Sequence, residues 1–323
     1  MTRTTLQIND FGLGDIPDQT GKAILITGAN NGLGLRAATA LAGAGARIIL
    51  ACRNQTTGAQ ALDQVRRVGA GADHALVALD LADLGSVREA ATKAVALAPA
   101  IDVLINNAGL MAVPFARTAD GFEMQIGTNH FGHFAFTDGV LPAVLAASKP
   151  RIVTLASIAH RQGKIVLDDL NFERRGYRRM TAYQQSKLAN LLFGSELARR
   201  SEAAGLSLKS VIAHPGVAAT NLFDSMVPPI PGALVATHIG LRVFGNSETD
   251  GALSQLYAAT MPDVRNGDYL GPNRLFGVRG PVSRSPQSKA ARDETMAKRL
   301  WEKSVELTGA RYDALQTASS TQS

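Results

Sequence analysis

The stretch Lys22–Arg53, KAILITGANNGLGLRAATALAGAGARIILACR, decides the fold. Ala23 to Ile26 has the length of a buried strand, Leu35 to Leu41 is small and helix-compatible, and Gly43 and Gly45 end the helix before a second apolar run, Arg47 to Ala51. The same alternation continues along the chain, with apolar runs at Ala75 to Leu79, Val103 to Ile105, Ile152 to Leu155 and Leu208 to Ile212 and helix-length segments between them. Strands that alternate with helices lie parallel and are joined by right-handed crossovers. The expected fold is therefore α/β: an open, doubly wound parallel sheet in a single domain, with helices on both faces.

The chain has 323 residues, 46% of them hydrophobic, which is enough for one substantial core. No composition break, linker or internal repeat divides it. The expected organisation is an N-terminal arm over 1–20, one domain over 21–310 and a flexible C-terminal tail over 311–323. A Pro-rich segment around 222–248, with Val227 to Phe244 at its centre, is expected to form a lid over an apolar pocket, the alternative being shallow docking on a membrane. A final amphipathic helix is expected from roughly Ser288 to Leu307, and the polar ending QTASSTQS cannot bury enough surface to order itself.

One cysteine, Cys52, excludes an internal disulfide framework and fits a reducing compartment, so a cytoplasmic location is expected. Its place beside an apolar run suggests packing. No leader peptide or membrane-spanning run is read, and Val227 to Phe244 is broken by three prolines, His238 and Arg242. The net charge of +6 suits an acidic partner, yet only 19% of residues are charged, and the densest basic cluster is ERRGYRR, Glu173 to Arg179. That cluster reads as a solvated loop; nucleic-acid binding through it would show a steep salt dependence.

The turn TGANNGLG brings Gly28, Gly32 and Gly34 to a strand-to-helix junction, where glycine lets a pyrophosphate approach backbone N–H groups at a helix N-terminus. Alone, the spacing also fits a tight turn with no ligand. After the second strand, where an NAD-preferring site carries a carboxylate, the chain has Arg53 and Asn54. A guanidinium can pair with a 2′-phosphate, favouring NADP(H) over NAD(H), although a plain surface arginine would look the same. Asp80 in LDL can accept a hydrogen bond from an adenine amine, and the small residues of NNAG, Asn106 to Gly109, allow a ribose to pass closely.

In TAYQQSKLAN, Tyr183 and Lys187 share one helical face, one turn apart. A free phenol has a pKa of about 10; a nearby ammonium and an oxidised nicotinamide would lower it toward the working range of a general acid or base. Ser157, ending the run RIVTLAS, can hold a substrate oxygen, or cap a helix. Asn129, in IGTNHFGHF, can anchor a water that resupplies protons through Lys187, or be a satisfied interior amide. HPG, His214 to Gly216, follows the sixth strand, with Thr220 placed to touch the nicotinamide carboxamide. Leu110, Met111, Val113 and Phe115 can form an apolar mouth.

Taken in order, TGANNGLG, LACRN, LDLADL, INNAGLM, ADGFEMQIGTNHFGHF, AYQQSKLANLLF and HPGVAATNL resemble the motifs of the short-chain dehydrogenase/reductase family, most closely its retinol dehydrogenase-like branch and bacterial relatives. The resemblance spans about Asp15 to Gly309. It implies a Rossmann fold with a seven-stranded sheet, a catalytic tetrad of Asn129, Ser157, Tyr183 and Lys187, and transfer of the pro-S hydride of NADP(H). It also implies cofactor contacts from Gly28, Asn30, Asn31, Gly32, Leu33, Gly34, Arg53, Asn54, Asp80, Leu81, Asn107, Ala108, Gly109, Tyr183, Lys187, Pro215, Gly216, Val217 and Thr220, with no metal.

The expected activity is interconversion of an alcohol with its ketone or aldehyde on an apolar small molecule, without nucleic acid or a transmembrane segment, in a homodimer or homotetramer. Reduction of a C=C or C=N bond with the same donors, and cofactor sensing without turnover, are the alternatives. The chain departs from its relatives at Ala156-Ser157, where two serines are common, and no apolar anchor of the kind with which membrane-bound retinol dehydrogenases begin is expected.

Overall fold

In the computed structural model, which describes residues 11–217 and 246–316, every residue of β1 (Ala23–Thr27) is buried. Successive side chains enter opposite cores. Ile24 and Ile26 pack with Ile48, Leu50 and the helix residues Ala37 and Leu41, whereas Ala23 and Leu25 pack with Ile49, Leu104 and Ile152. A strand covered on both faces has no polar side, so it reads as an unbroken apolar run.

The other strands are β2 (Arg47–Cys52), β3 (Ala75–Ala78), β4 (Val103–Asn106), β5 (Arg151–Leu155), β6 (Lys209–Ala213), β7 (Tyr269–Arg274) and β8 (Arg279–Arg284). They form one sheet in the order β3-β2-β1-β4-β5-β6-β7-β8. The first seven run parallel, and β8 returns antiparallel to β7. The sheet thus has eight strands where seven were expected. The link from β7 to β8 holds only the short turn at Leu275–Gly277, too little chain for a crossover, so the last pair closes as a hairpin.

Helices α1 (Gly32–Gly43), α2 (Gln55–Val68) and α7 (Glu248–Thr260) bury residues in one core. Helices α3 (Leu84–Leu97), α5 (Gly132–Leu145) and α6 (Arg179–Ala203) bury theirs in the other, and α8 (Glu294–Thr308) packs outside α6. A short turn, α4 (Met124–Ile126), runs through a π-helical segment, Gly127–Phe131, into α5. Among the described residues no helix is long and apolar enough to cross a membrane.

Several boundaries move. The last helix begins at Asp293, whose carboxylate caps Met296 N–H at 2.9 Å, rather than at Ser288. The tail was expected to be flexible from residue 311, yet Tyr312 is buried: its hydroxyl donates to Phe134 O at 2.8 Å and its ring lies 4.5 Å from that of Trp301. One aromatic ring in an apolar seat thus anchors a stretch whose composition reads as polar. Residues 317–323 lie outside the described residues. In the arm, Phe11 packs edge-on against Tyr257 with ring centroids 5.1 Å apart. Cys52 is buried in the core, and burial pushes its thiol up to about 11, as a packing cysteine requires.

The sheet order places the site. β1 is flanked by β2 on one side and β4 on the other, so the winding reverses between β1 and β4 and leaves a crevice at their C-terminal ends.

Candidate active site

The crevice opens into a cleft of about 450 Å³, within the range of small-molecule sites. Its walls hold Gly28, Asn30, Asn31, Gly32, Leu33 and Gly34 from the glycine turn and Arg53 and Asn54 from the end of β2. Asp80 and Leu81 follow β3, Asn107, Ala108 and Gly109 follow β4, and Tyr183, Lys187 and Pro215 complete the set. Residues scattered over almost the whole chain converge because each sits at or beyond the C-terminal end of a parallel strand, or on α6 beside them.

The glycine turn is built for close approach. Gly28 and Gly32 take φ of 64° and 50°, in the left-handed region. A Cβ on Gly34 would lie 2.4 Å from Gly28 O and 2.5 Å from Asn107 Nδ2. Gly34→Ala should therefore push apart the turn and the β4 loop and abolish measurable nucleotide binding in a fluorescence titration, while the helix itself favours alanine. Helices α2, α3, α7 and α8 each start on a side-chain cap, from Asn54, Asp83, Ser247 and Asp293. At the start of α1 the Asn31 side chain caps nothing, so the first N–H groups of that helix face the cleft with their partial positive charge.

Asn30 Nδ2 donates to Thr57 Oγ1 at 2.9 Å, tying the turn to α2, and Asn54 Oδ1 accepts from Thr57 N at 3.0 Å as the cap of that helix. Asp80 accepts from Ala82 N at 2.9 Å. Asn107 Nδ2 donates to Thr27 O at 2.8 Å, and Thr27 Oγ1 accepts from Asn107 N and Ala108 N, both at 3.0 Å, stitching β1 to the β4 loop.

Tyr183 is buried among Met111 and Ala112. Burial pushes its phenol up to about 12, and the Ser157 hydroxyl nearby opposes that rise. Ser157 Oγ accepts from Ala159 N at 3.2 Å, so this serine also caps a 3₁₀ turn. Lys187 was expected to tune the phenol. Its Nζ lies 5.9 Å from the tyrosine ring centroid and donates to Leu155 O at 3.1 Å, and burial brings it down to about 8. The chain's own groups therefore leave the phenol high; the lysine's position, not its charge alone, is what the helix supplies.

Asn129 lies behind the cleft wall, fully buried in the π-helical segment. Its Oδ1 accepts from Leu110 N at 2.7 Å, and its Nδ2 donates to Leu110 O and Ser186 Oγ, both at 2.9 Å. It is a satisfied amide, yet it is close to the lysine: a Cβ on Gly109 would stand 3.3 Å from Asn129 Oδ1 and 3.4 Å from Lys187 Nζ. A side chain at 109 would press on both groups.

Other expected residues fall elsewhere. Gly216 and Val217 turn from the cleft toward the β7–β8 hairpin, where Val217 N donates to Val278 O at 3.0 Å and a Cβ on Gly216 would strike that same oxygen at 2.2 Å. Thr220 and Val227 to Phe244 lie outside the described residues; of the expected lid, Glu248 is the first residue of α7. Leu110, Met111 and Val113 line the cleft, but Phe115 packs on Tyr177 with centroids 5.1 Å apart, beneath Arg117.

Three features were missed. Glu248 also lines the cleft and lies 3.5 Å from Arg36. The ERRGYRR loop is not simply solvated: Tyr177 Oη donates to Val113 O at 2.9 Å and accepts from Gln125 Nε2 at 2.9 Å, fixing the cleft's Val113. Arg175 pairs with Asp169 at 3.3 Å and lies 3.9 Å over Phe172, so part of the basic cluster is spent inside the protein. The third, His133, is buried behind the β4 loop. Only the helical spacing of Asn129 and His133 hinted at a link.

Comparison with known proteins agrees with this architecture. Residues 22–229 match the profile of the short chain dehydrogenase family. The chain is 37% identical over 308 residues to Retinol dehydrogenase 14 of Mus musculus, covering 92% of this chain and 89% of that protein. It is 38% identical over 300 residues to Retinol dehydrogenase 13 of Homo sapiens, covering 90% and 85%. Among solved structures, an uncharacterized protein from Mycobacterium Paratuberculosis matches with a TM-score of 0.78 at 41% identity, covering 94% of this chain and 99% of that one.

Proposed function

Since the chain belongs to the short-chain dehydrogenase family and is an oxidoreductase of its retinol dehydrogenase-like kind, we propose that it interconverts an alcohol with its ketone or aldehyde on an apolar small molecule, using NADP(H) in preference to NAD(H). The observation that carries this reading is that Tyr183 and Lys187, with Ser157 acting on the phenol, share one cleft with the glycine turn at the uncapped N-terminus of α1.

The residues present fit a nicotinamide dinucleotide. A Cβ on Gly28 or Gly34 would strike Ala108, Asn107 or the turn itself, so the turn can lie close against the β4 loop; the α1 N–H groups suit a pyrophosphate's charge, and Ala108 and Gly109 keep that wall of the cleft small where a ribose would pass. When bound, the nicotinamide supplies or accepts the hydride, and its oxidised ring carries the positive charge that brings a phenol pKa down. Tyr183 gives its hydroxyl proton to the oxygen that forms on reduction and takes it back on oxidation. Ser157 holds that oxygen beside the phenol. Lys187, fixed by Leu155 O, faces the ribose side, and Asn129 keeps the passage behind it polar. Leu110, Met111 and Val113 give the substrate an apolar wall.

Arg53 stands where a carboxylate would select NAD. Arg53→Ala should weaken NADPH by about 10- to 100-fold, the loss of charged hydrogen bonds, and change NADH by about twofold or less. Isothermal titration with both nucleotides checks this, and an equal loss for both would reject the phosphate contact.

A further inference from the structure

His133 is buried one turn beyond Asn129 on the helix that continues from the π-helical segment. Its two ring nitrogens reach two different parts of the site. Nδ1 lies 3.0 Å from Asn129 O, and Nε2 lies 2.8 Å from Thr27 Oγ1. The protons can be assigned from the partners. Thr27 Oγ1 accepts from Asn107 N and Ala108 N, which uses both of its lone pairs. Its own proton must then go outward, either to His133 Nε2 at 2.8 Å or to Ile105 O at 3.5 Å, and the shorter contact takes it. Nε2 is therefore an acceptor, Nδ1 carries the ring proton, and that proton is donated to Asn129 O.

We propose that His133 is a positioning residue of the nucleotide cleft: its neutral Nδ1–H ring links the turn that carries Asn129 to the Thr27 hydroxyl that organises the glycine turn and the β4 loop. A phenylalanine would fill the same apolar seat without desolvating a polar ring, so packing alone gives no reason for an imidazole there. Each end of the bridge meets an element that lines or backs the cleft. Thr27 holds Asn107 and Ala108, and Asn129 stands beside the gap at Gly109 and Lys187. The ring is held neutral by burial, with the Lys187 charge adding to the effect. The bridge rests on the reading of the cleft as a nicotinamide nucleotide site, which NADPH binding by the parent protein tests separately.

The experiment uses the full chain with NADPH as probe. Long-range ¹H–¹⁵N correlation spectra should show His133 as an Nδ1–H tautomer, its signal assigned by its loss in His133→Asn and shifted in Thr27→Val. Fluorescence titration of His133→Phe should give an NADPH Kd raised about 5- to 10-fold, the loss of a pair of neutral hydrogen bonds. In the double variant with Thr27→Val the Kd should rise no more than about twofold beyond Thr27→Val alone, because both changes cut one link. Thr27→Ser, which keeps the hydroxyl, should bind as the parent does.

An Nε2–H tautomer at His133, or single-variant effects that multiply in the double, would overturn the bridge. So would His133→Phe that folds and binds NADPH as the parent does. Should His133→Phe fail to fold, the tautomer and the His133→Asn titration decide the same question. A parent chain that binds neither NADPH nor NADH would overturn the nucleotide-site reading itself, and the bridge with it.

Discussion

Tyr183→Phe is expected to reduce carbonyl reduction by about 10²- to 10⁴-fold, the usual loss of a positioned proton donor, while the protein folds and binds NADPH as before. The substitution removes one oxygen. The ring keeps its seat against Met111 and Ala112, and Ser157 Oγ keeps its bond to Ala159 N, so neither the core nor the 3₁₀ turn after β5 loses its support. What disappears is the only hydroxyl on α6 that lines the cleft among the described residues. Steady-state NADPH oxidation against a panel of ketones, aldehydes and quinones measures the rate, and titration measures the binding. A folded Tyr183→Phe protein that turns over at the parent rate would remove the tyrosine from the proton transfer.

Lys187→Met is expected to separate activity from stability, with opposite signs. Burial lowers the ammonium from 10.5 to about 8, with Leu155 O its hydrogen-bond acceptor. Between those values the unfolded chain holds a proton that the folded chain has given up. Folding stability contributed by this group therefore rises as pH climbs from about 8 toward 10, and below about 8 the full penalty applies. A methionine carries no charge to desolvate and nearly the same unbranched stem, and Leu155 O still accepts from Asn190 Nδ2 at 3.0 Å. The variant should be more stable at neutral pH by roughly 3 kcal/mol and should lose the parent's gain in stability between about pH 8 and 10. Its activity should fall about 10²-fold or more, because the cation proposed to serve the ribose and the proton path is gone. Urea unfolding at several pH values reads the first effect and NADPH oxidation the second. A destabilised variant at neutral pH would show that the lysine is held more favourably than its burial implies.

The parts of the fold and site that could be read from the sequence share one property: they are local. The run Ala23 to Ala51 reads as strand, turn, helix and strand because each element is defined by residues a few positions apart and both sheet faces are apolar. The cleft residues read equally well, since a residue that ends a parallel strand is carried to the same sheet edge wherever it stands in the chain. Contacts set by distant partners were not legible. The eighth strand carries Pro281 and Gly280 and gains its identity only by pairing with β7. Tyr312 looks like part of a polar tail until Phe134 and Trp301 are placed beside it.

Within the site the same division holds. Tyr183 and Lys187 were found by spacing, but the acceptor that fixes the lysine, Leu155 O, lies 32 positions away. Tyr177 is 64 positions from the carbonyl it holds, and His133 is 106 from Thr27. Phe115 was placed at the mouth on hydrophobicity alone, and its preference for the edge of Tyr177 depends on a loop that the composition presented as basic and wet.

Under the proposed reaction, NADPH gives its hydride to a carbonyl carbon at the Tyr183 end of the cleft. The most direct measurement is mass spectrometry of the alcohol formed from a ketone or aldehyde found in the activity screen, with NADPH carrying deuterium at the pro-S position of the nicotinamide C4. One deuterium is expected in the product from this cofactor and none from its pro-R counterpart. Alcohol formed without the pro-S label, or a nucleotide that keeps it through turnover, would rule out this hydride transfer.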